Sequence, residues 1–195
     1  MIYKRCTDPK VFGFGVLVPK KDYRKILKYK KEIKPHVDWV VKTQNYPKSN
    51  SMVPHLSIKY LGYHENYSNE EIMEIAKDIK KISKRYLPIK MKFHGIKIGT
   101  KRDNLGVLLN SKFPTSVKEF HNEVISKLRN KIDIFKDIDG RNFEPHITIA
   151  SGKKNKENMK ALRLVKKKSK KDKVTKIELK DMYIYLKKKG PIILK

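Results

Sequence analysis

Cysteine is almost missing from this chain: Cys6 is the only one in 195 residues. No intramolecular disulfide and no cysteine-based zinc site can be built from it, which fits a reducing compartment. Long apolar runs are missing too. No stretch approaches the roughly 20 consecutive apolar residues of a spanning helix, so membrane insertion is not expected. The first ten residues lack the apolar run of a cleavable signal, so the cytoplasm is the expected location. Acidic residues are scarce, 20 against 48 Lys+Arg, for a formal charge of +28. A chain so charged attracts phosphate-bearing partners over long range. Yet Lys outnumbers Arg 41 to 7 and Gln44 is the only glutamine, a bias that an AT-rich genome or a hot habitat also imposes. Charge is therefore supporting evidence only.

The apolar residues that are present are periodic, as a folded core requires. Phe12–Val18 alternates bulky and small residues and reads as a strand. Tyr23, Ile26, Leu27 and Ile33 fall close to one helical face over residues 20–34, which Pro35 closes. A short strand is expected over 37–42, a polar loop over 43–51, and a strand over 52–61 ended by Gly62. Ser68 with Glu71, and Ser116 with Glu119, have the form of capping boxes that open two amphipathic helices. Between them, 89–93 and 105–109 read as strands paired across a turn at 99–104. A strand over 143–150, a helix over 155–165 and strands over 177–186 and 192–194 complete the chain. Helices alternate irregularly with strands joined by short turns, which favours α+β over a doubly wound parallel sheet. Gly13 and Gly15 sit inside a strand and not in a strand-to-helix turn, so a dinucleotide fingerprint fails on position.

One internal similarity stands out. Pro54-His55-Leu56-Ser57-Ile58 and Pro145-His146-Ile147-Thr148-Ile149 share the form Pro-His-apolar-hydroxyl-apolar, 91 residues apart. On a strand, His55 shares a face with Ser57 and Lys59, and His146 with Thr148, while the aliphatic residues point the other way. Each copy is followed by a helical segment, so a duplicated unit about a pseudo-twofold axis would face two histidines and two hydroxyls across one cleft. Transfer at phosphorus suits that set. One imidazole takes a proton from water while the other donates to a leaving sugar oxygen, and the hydroxyls stabilise charge on non-bridging oxygens. No metal or cofactor is required by this scheme, and no metal-binding motif is evident.

The paired motifs resemble the His-x-Thr/Ser-x signature of the 2H phosphoesterase superfamily, which includes RNA 2′,3′-cyclic phosphodiesterases once called 2′-5′ RNA ligases. Lys59-Tyr60-Leu61-Gly62 after the first motif and Phe143-Glu144-Pro145 before the second are similar to that family's flanking segments. The resemblance covers residues 11–194. It implies a bilobal α+β domain over 11–195, behind an extension of residues 1–10, with two pseudo-symmetric antiparallel sheet lobes and outer helices around a central cleft. It implies hydrolysis of RNA 2′,3′-cyclic phosphate ends, with His55, Ser57, His146 and Thr148 as the catalytic set and the acid and base left unassigned. The expected partner is RNA or an oligonucleotide bearing the cyclic phosphate, met by a monomer. Relatives that cut cyclic dinucleotides or 2′-5′ oligoadenylates supply a competing enzyme reading, and a non-catalytic RNA-binding protein is the rival from another class.

Three further residues are candidates for holding substrate: Lys59 and Lys153 as point charges for phosphate, and Phe14 as a stacking surface for a base. Ordinary solvation and core packing are the competing readings. His121 reads as a packing residue of its helix, Tyr60 as core, and His36, His64 and His94 have no partner pattern. Residues 153–173 hold ten lysines and one arginine against two acids, a local charge of +9. This segment is either a solvated helix and loop or an RNA-tracking patch beside the second motif.

Overall fold

The computed structural model describes residues 11–41, 53–101, 103–135, 139–186 and 190–194. The readings of the first ten residues and of the loop over 43–51 lie outside them. Among the described residues the strands are β1 (Val11–Leu17), β2 (Trp39–Val40), β3 (His55–Tyr63), β4 (Ile89–Lys101), β5 (Asn104–Lys112), β6 (Thr148–Lys153), β7 (Thr175–Leu179), β8 (Met182–Leu186) and β9 (Gly190–Leu194). The helices are α1 (Tyr23–Ile26), α2 (Lys30–Ile33), α3 (Asn69–Ser83), α4 (Ser116–Leu128) and α5 (Lys156–Ser169). They build two antiparallel sheets, ordered β3-β1-β8-β9 and β2-β6-β5-β4-β7, and the α+β architecture stands.

The two sheets repeat one plan. In each, a histidine-motif strand lies beside an opening strand, β3 beside β1 and β6 beside β5. Next comes β8 on β1, arriving from the far end of the chain, and β4 on β5, its hairpin partner, and then β9 or β7 on the outside. The connecting helices are exchanged as well. The α1–α2 segment follows β1 but packs on α5, while α4 follows β5 but packs on β3 and α3. One apolar cluster runs through both halves, from Phe12, Val16 and Leu56 to Val107, Leu109 and Ile147.

Local chemistry accounts for most elements. Ser68 accepts from the Glu71 amide and Glu71 accepts from the Ser68 amide, a complete capping box, and Ile72, Ile75, Ala76, Ile79 and Ile82 bury the inner face of α3. Asn155 caps α5 through the Asn158 amide at 2.7 Å, and that helix runs to Ser169, four residues beyond the expected end.

Four expectations are corrected. The helix expected over 20–34 is broken at 27–29 into α1 and α2. Tyr23, Ile26 and Tyr29 repeat every third residue, a spacing that tightened turns bury better than a continuous α-helix does. The capping box at Ser116 does not form. Pro114 and Thr115 already accept the amides of Val117 and Lys118, so Ser116 lies inside the helix. The ladder expected from Phe143 begins only at Thr148, because Phe143 is committed to a ring stack on His121 and Pro145 has no N–H to donate. The run 177–186 is two strands, divided at Lys180–Asp181, where the chain passes from one sheet to the other.

Gly95 sets one requirement. It adopts φ +64° at the irregularity of β4, and a Cβ there would lie 2.5 Å from the Ser169 carbonyl oxygen, where the Ser169 hydroxyl accepts from the Ile96 amide at 3.0 Å. Gly95→Ala is expected to cost roughly 2–3 kcal/mol in urea unfolding. A variant as stable as the parent would contradict this account of how α5 seats on its sheet.

Candidate active site

Among the described residues the two sheets meet at one antiparallel bridge, between Leu56 and Ile147, the residues that follow the two motif histidines. Both are fully buried, so their neighbours along each strand point to the opposite face. That face carries His55 and Ser57 from one lobe and His146 and Thr148 from the other. Antiparallel register about the bridge crosses the motifs, setting position 55 against 148 and 57 against 146. A charge on His146 disfavours protonation of His55. The structure therefore brings the four motif residues together across the cleft.

Both imidazoles are held in the same way. His55 Nδ1 lies 2.7 Å from the Val53 carbonyl and His146 Nδ1 lies 2.9 Å from the Glu144 carbonyl. A carbonyl only accepts, so each Nδ1 donates, and in a neutral ring Nε2 carries the lone pair. The recurring proline now has a physical role. A residue before proline is confined to extended conformations, so Pro54 and Pro145 fix the Val53 and Glu144 carbonyls where the rings can reach them.

The surroundings of the two rings differ. His146 is exposed, whereas His55 is half-buried with its ring 5.3 Å from that of Tyr183 in an edge-on contact. Burial pushes the His55 pKa down, the Val53 carbonyl opposes this, and the His146 charge lowers it further. Tyr183 comes this close because Gly15 faces it across β1 and β8. A Cβ on Gly15 would lie 2.3 Å from the Leu56 carbonyl and 3.0 Å from the Tyr183 ring. Tyr183 was not among the sequence candidates, although a glycine inside a strand is the signal of such close approach.

Lys59 is not where strict alternation puts it. The pairing of β3 with β1 slips between Ser57 and Lys59, so Ile58 is an extra residue and Lys59 turns away from the histidine face. Its side chain has no exposure. The ammonium pairs with Asp139 Oδ2 at 2.8 Å and donates to the Asp133 carbonyl at 2.8 Å and to the Tyr60 carbonyl. Burial lowers its pKa against the upward pull of Asp139. With its donors committed to the interior, it is a structural cation and not a phosphate ligand. His121 joins the same network, donating from Nδ1 to the Ile58 carbonyl at 2.7 Å and accepting at Nε2 from the Gly140 amide at 3.2 Å. Its ring stacks on Phe143 with centroids 3.9 Å apart. The packing role read from the sequence for His121 thus includes tying the approach to His146 onto the strand of His55. Tyr60, expected in the core, is half-buried against Tyr63 and Phe135.

Phe14 is also corrected. It is 2% exposed and packs edge-on against Phe120, so no base can stack on it. Lys153 is exposed at the end of β6, opposite Asn104. The lysine-rich α5 packs on β4 with Leu162 and Val165 inward, on the core side of the five-stranded sheet and so opposite Thr148. Its outer face is a solvated helix, stitched to α2 by the Lys168–Glu32 pair at 3.0 Å. A polar pair that the sequence did not signal lies on the cleft side. Leu109 donates its amide to Ile147, and the following Asn110 donates from Nδ2 to His94 Nε2 at 3.0 Å.

Two antiparallel lobes that meet at paired His-x-Ser/Thr strands define the architecture of a two-histidine phosphoesterase. The chain belongs to the 2′-5′ RNA ligase superfamily, whose family model matches residues 27–182. Solved structures share the fold over nearly the whole chain. One described as a phosphoesterase superposes with TM-score 0.56 at 15% identity, covering 96% of this chain and 97% of that one. LigT of E. coli, complexed with ATP, gives 0.52 at 16% identity and 95% of each chain. Usb1 of Kluyveromyces marxianus, with uridine monophosphate, gives 0.52 at 9% identity, covering 95% of this chain and 98% of that one. No curated protein sequence matches the chain.

The buried ion pair beneath the site is a stability requirement. Lys59→Met leaves Asp139 charged and uncompensated, at an expected cost of about 3–5 kcal/mol in urea unfolding. Adding Asp139→Asn to that variant restores most of the loss, since the amide oxygen still accepts from Phe135, whose N–H now bonds Asp139 Oδ2 at 2.6 Å. A single variant within about 1 kcal/mol of the parent would rule out this role for the pair.

Proposed function

We propose that this chain is a metal-independent cyclic phosphodiesterase that opens the 2′,3′-cyclic phosphate at RNA ends, with His55 as general base and His146 as general acid. The observation that carries the proposal is the crossed placement of two imidazoles and two hydroxyls about the Leu56–Ile147 bridge. Family membership supports phosphodiester chemistry on RNA. The nucleotides held by LigT and Usb1, ATP and uridine monophosphate, support a nucleotide ligand.

The assignment of roles follows from the difference in surroundings. Burial and the neighbouring charge both favour neutral His55, so its Nε2 takes the proton from the attacking water. The water oxygen bonds to phosphorus, the bond from phosphorus to one ribose oxygen breaks, and that oxygen receives the proton of His146 Nε2. Ser57 and Thr148 donate to the non-bridging oxygens as their charge grows. Every proton has a side-chain source or acceptor, so the scheme calls for no Lewis acid. Both histidines come from one chain, so a monomer suffices.

RNA oligomers with 2′,3′-cyclic ends should be opened in EDTA, with kcat falling at least about 100-fold in His55→Ala and in His146→Ala. Cyclic dinucleotides and 2′-5′ oligoadenylate are the competing substrates, and faster turnover of either would replace this reading. Tight, salt-dependent RNA binding without any product would favour a binding protein. The dependence of kcat/KM on pH should be bell-shaped. Because the base must be unprotonated and the pKa of His55 is lowered, the acidic limb should lie below the ordinary histidine value of about 6.5. His146→Gln removes a repelling charge, so the NMR titration of His55 should move upward in that variant. An unmoved or downward titration would break the proposed coupling.

A further inference from the structure

Across the five-stranded sheet, the residue facing Thr148 is Leu108 of β5, and the residue facing Leu108 is Lys97 of β4. Directly opposed residues of an antiparallel pair share a face. Val107, Leu109 and Ile96 are buried in the core, which puts Leu108 and Lys97 on the other side, in line with Thr148. Both are half-buried. Lys97 makes no ion pair or hydrogen bond with any described residue, in contrast to Lys59, whose charge is committed inside. The next row on this face is Gly99, Gly106 and Ser151. A Cβ on either glycine would meet no backbone closer than 4.0 Å, touching only the Leu108 methyl groups at 3.4 and 3.6 Å. The leucine therefore borders a strip of bare backbone beside the reacting end.

An apolar side chain at the edge of a smooth strip suits a planar base or a ribose, and a free lysine one strand further suits a phosphate. The span from Thr148 to Lys97 is two strand spacings, about 10 Å. We infer that Leu108 and Lys97 seat the nucleotide adjoining the cyclic end, so that an oligonucleotide of at least two residues is preferred over a mononucleotide. This rests on the cyclic phosphodiesterase reading and extends it along the sheet. Leu108 supplies contact with the base or ribose and Lys97 pairs with the phosphate that joins the two nucleotides.

The test compares a 2′,3′-cyclic mononucleotide with a dinucleotide bearing the same end. Lys97→Gln should leave kcat/KM for the mononucleotide within about 2-fold of the parent and lower it about 10-fold for the dinucleotide, mostly through KM. The dinucleotide defect should shrink as salt rises to about 0.5 M, since the lost contact is ionic. Leu108→Ser should give a similar dinucleotide-specific loss that salt does not erase, and Gly106→Val should do the same by filling the strip. Equal losses on both substrates, or no loss on the dinucleotide, would overturn the inference. A parallel titration uses a fluorescent dinucleotide ending in a 2′-phosphate. Binding that weakens in Lys97→Gln while the wild-type protein turns over neither cyclic substrate supports the seat and sinks only the catalytic reading. Binding that Lys97→Gln leaves unchanged, or no binding to the wild-type protein, overturns the seat whatever the turnover.

Discussion

Everything about the site depends on one backbone contact, the antiparallel bridge between Leu56 and Ile147. It is short, yet it fixes more than a longer ladder elsewhere would. Because the bridged residues follow the two histidines and are themselves buried, the bridge sets which side chains emerge beside which. Each hydroxyl is placed next to the imidazole of the other lobe. The carbonyls that hold the rings belong to residues locked by the prolines that precede each histidine. Hydrogen bonds to these fixed carbonyls thus orient both Nε2 atoms, and little ordering remains to be done when a phosphate arrives.

Beneath that face the interior holds a charged pair in place of aliphatic packing. Lys59, Asp139 and His121 join the strand of the first histidine to the segment that leads to the second. A buried ion pair contributes little net stability compared with an apolar substitute, but it tolerates only one geometry. Here that geometry holds the Phe143–His146 approach, which has almost no ladder of its own, against β3. The cost of burying charge is offset by three hydrogen bonds from the lysine and by the amide of Phe135 on the carboxylate.

Much of this was legible in the sequence, and the failures have definite causes. The α3 helix was readable because its cap, its acidic first turn and its isoleucine stripe all agree. The paired motifs were readable because a strand repeats every two residues. Lys59 was misplaced by the same rule, since an extra residue at Ile58 shifts the alternation and nothing in the local composition marks it. Phe14 was ambiguous in principle: an aromatic on an opening strand serves a core or a base equally well until the packing of α4 is known. The division at Lys180–Asp181 was invisible because both strands are apolar, and only the topology assigns them to different sheets. Tyr183 and Asn110 reached the site through register, which no single strand contains.

The exchange of connecting helices between lobes bears on how such a chain can have arisen and come apart. A single strand–helix–strand–helix unit of this plan lacks a cover for one face and a neighbour for one edge, and a second unit supplies both. Two identical copies would satisfy each other as an intertwined pair with two equal histidines. Joining the copies in one polypeptide releases them from that equality. Here one ring packs against a tyrosine while its counterpart stays in water, an inequality that two identical copies could not hold.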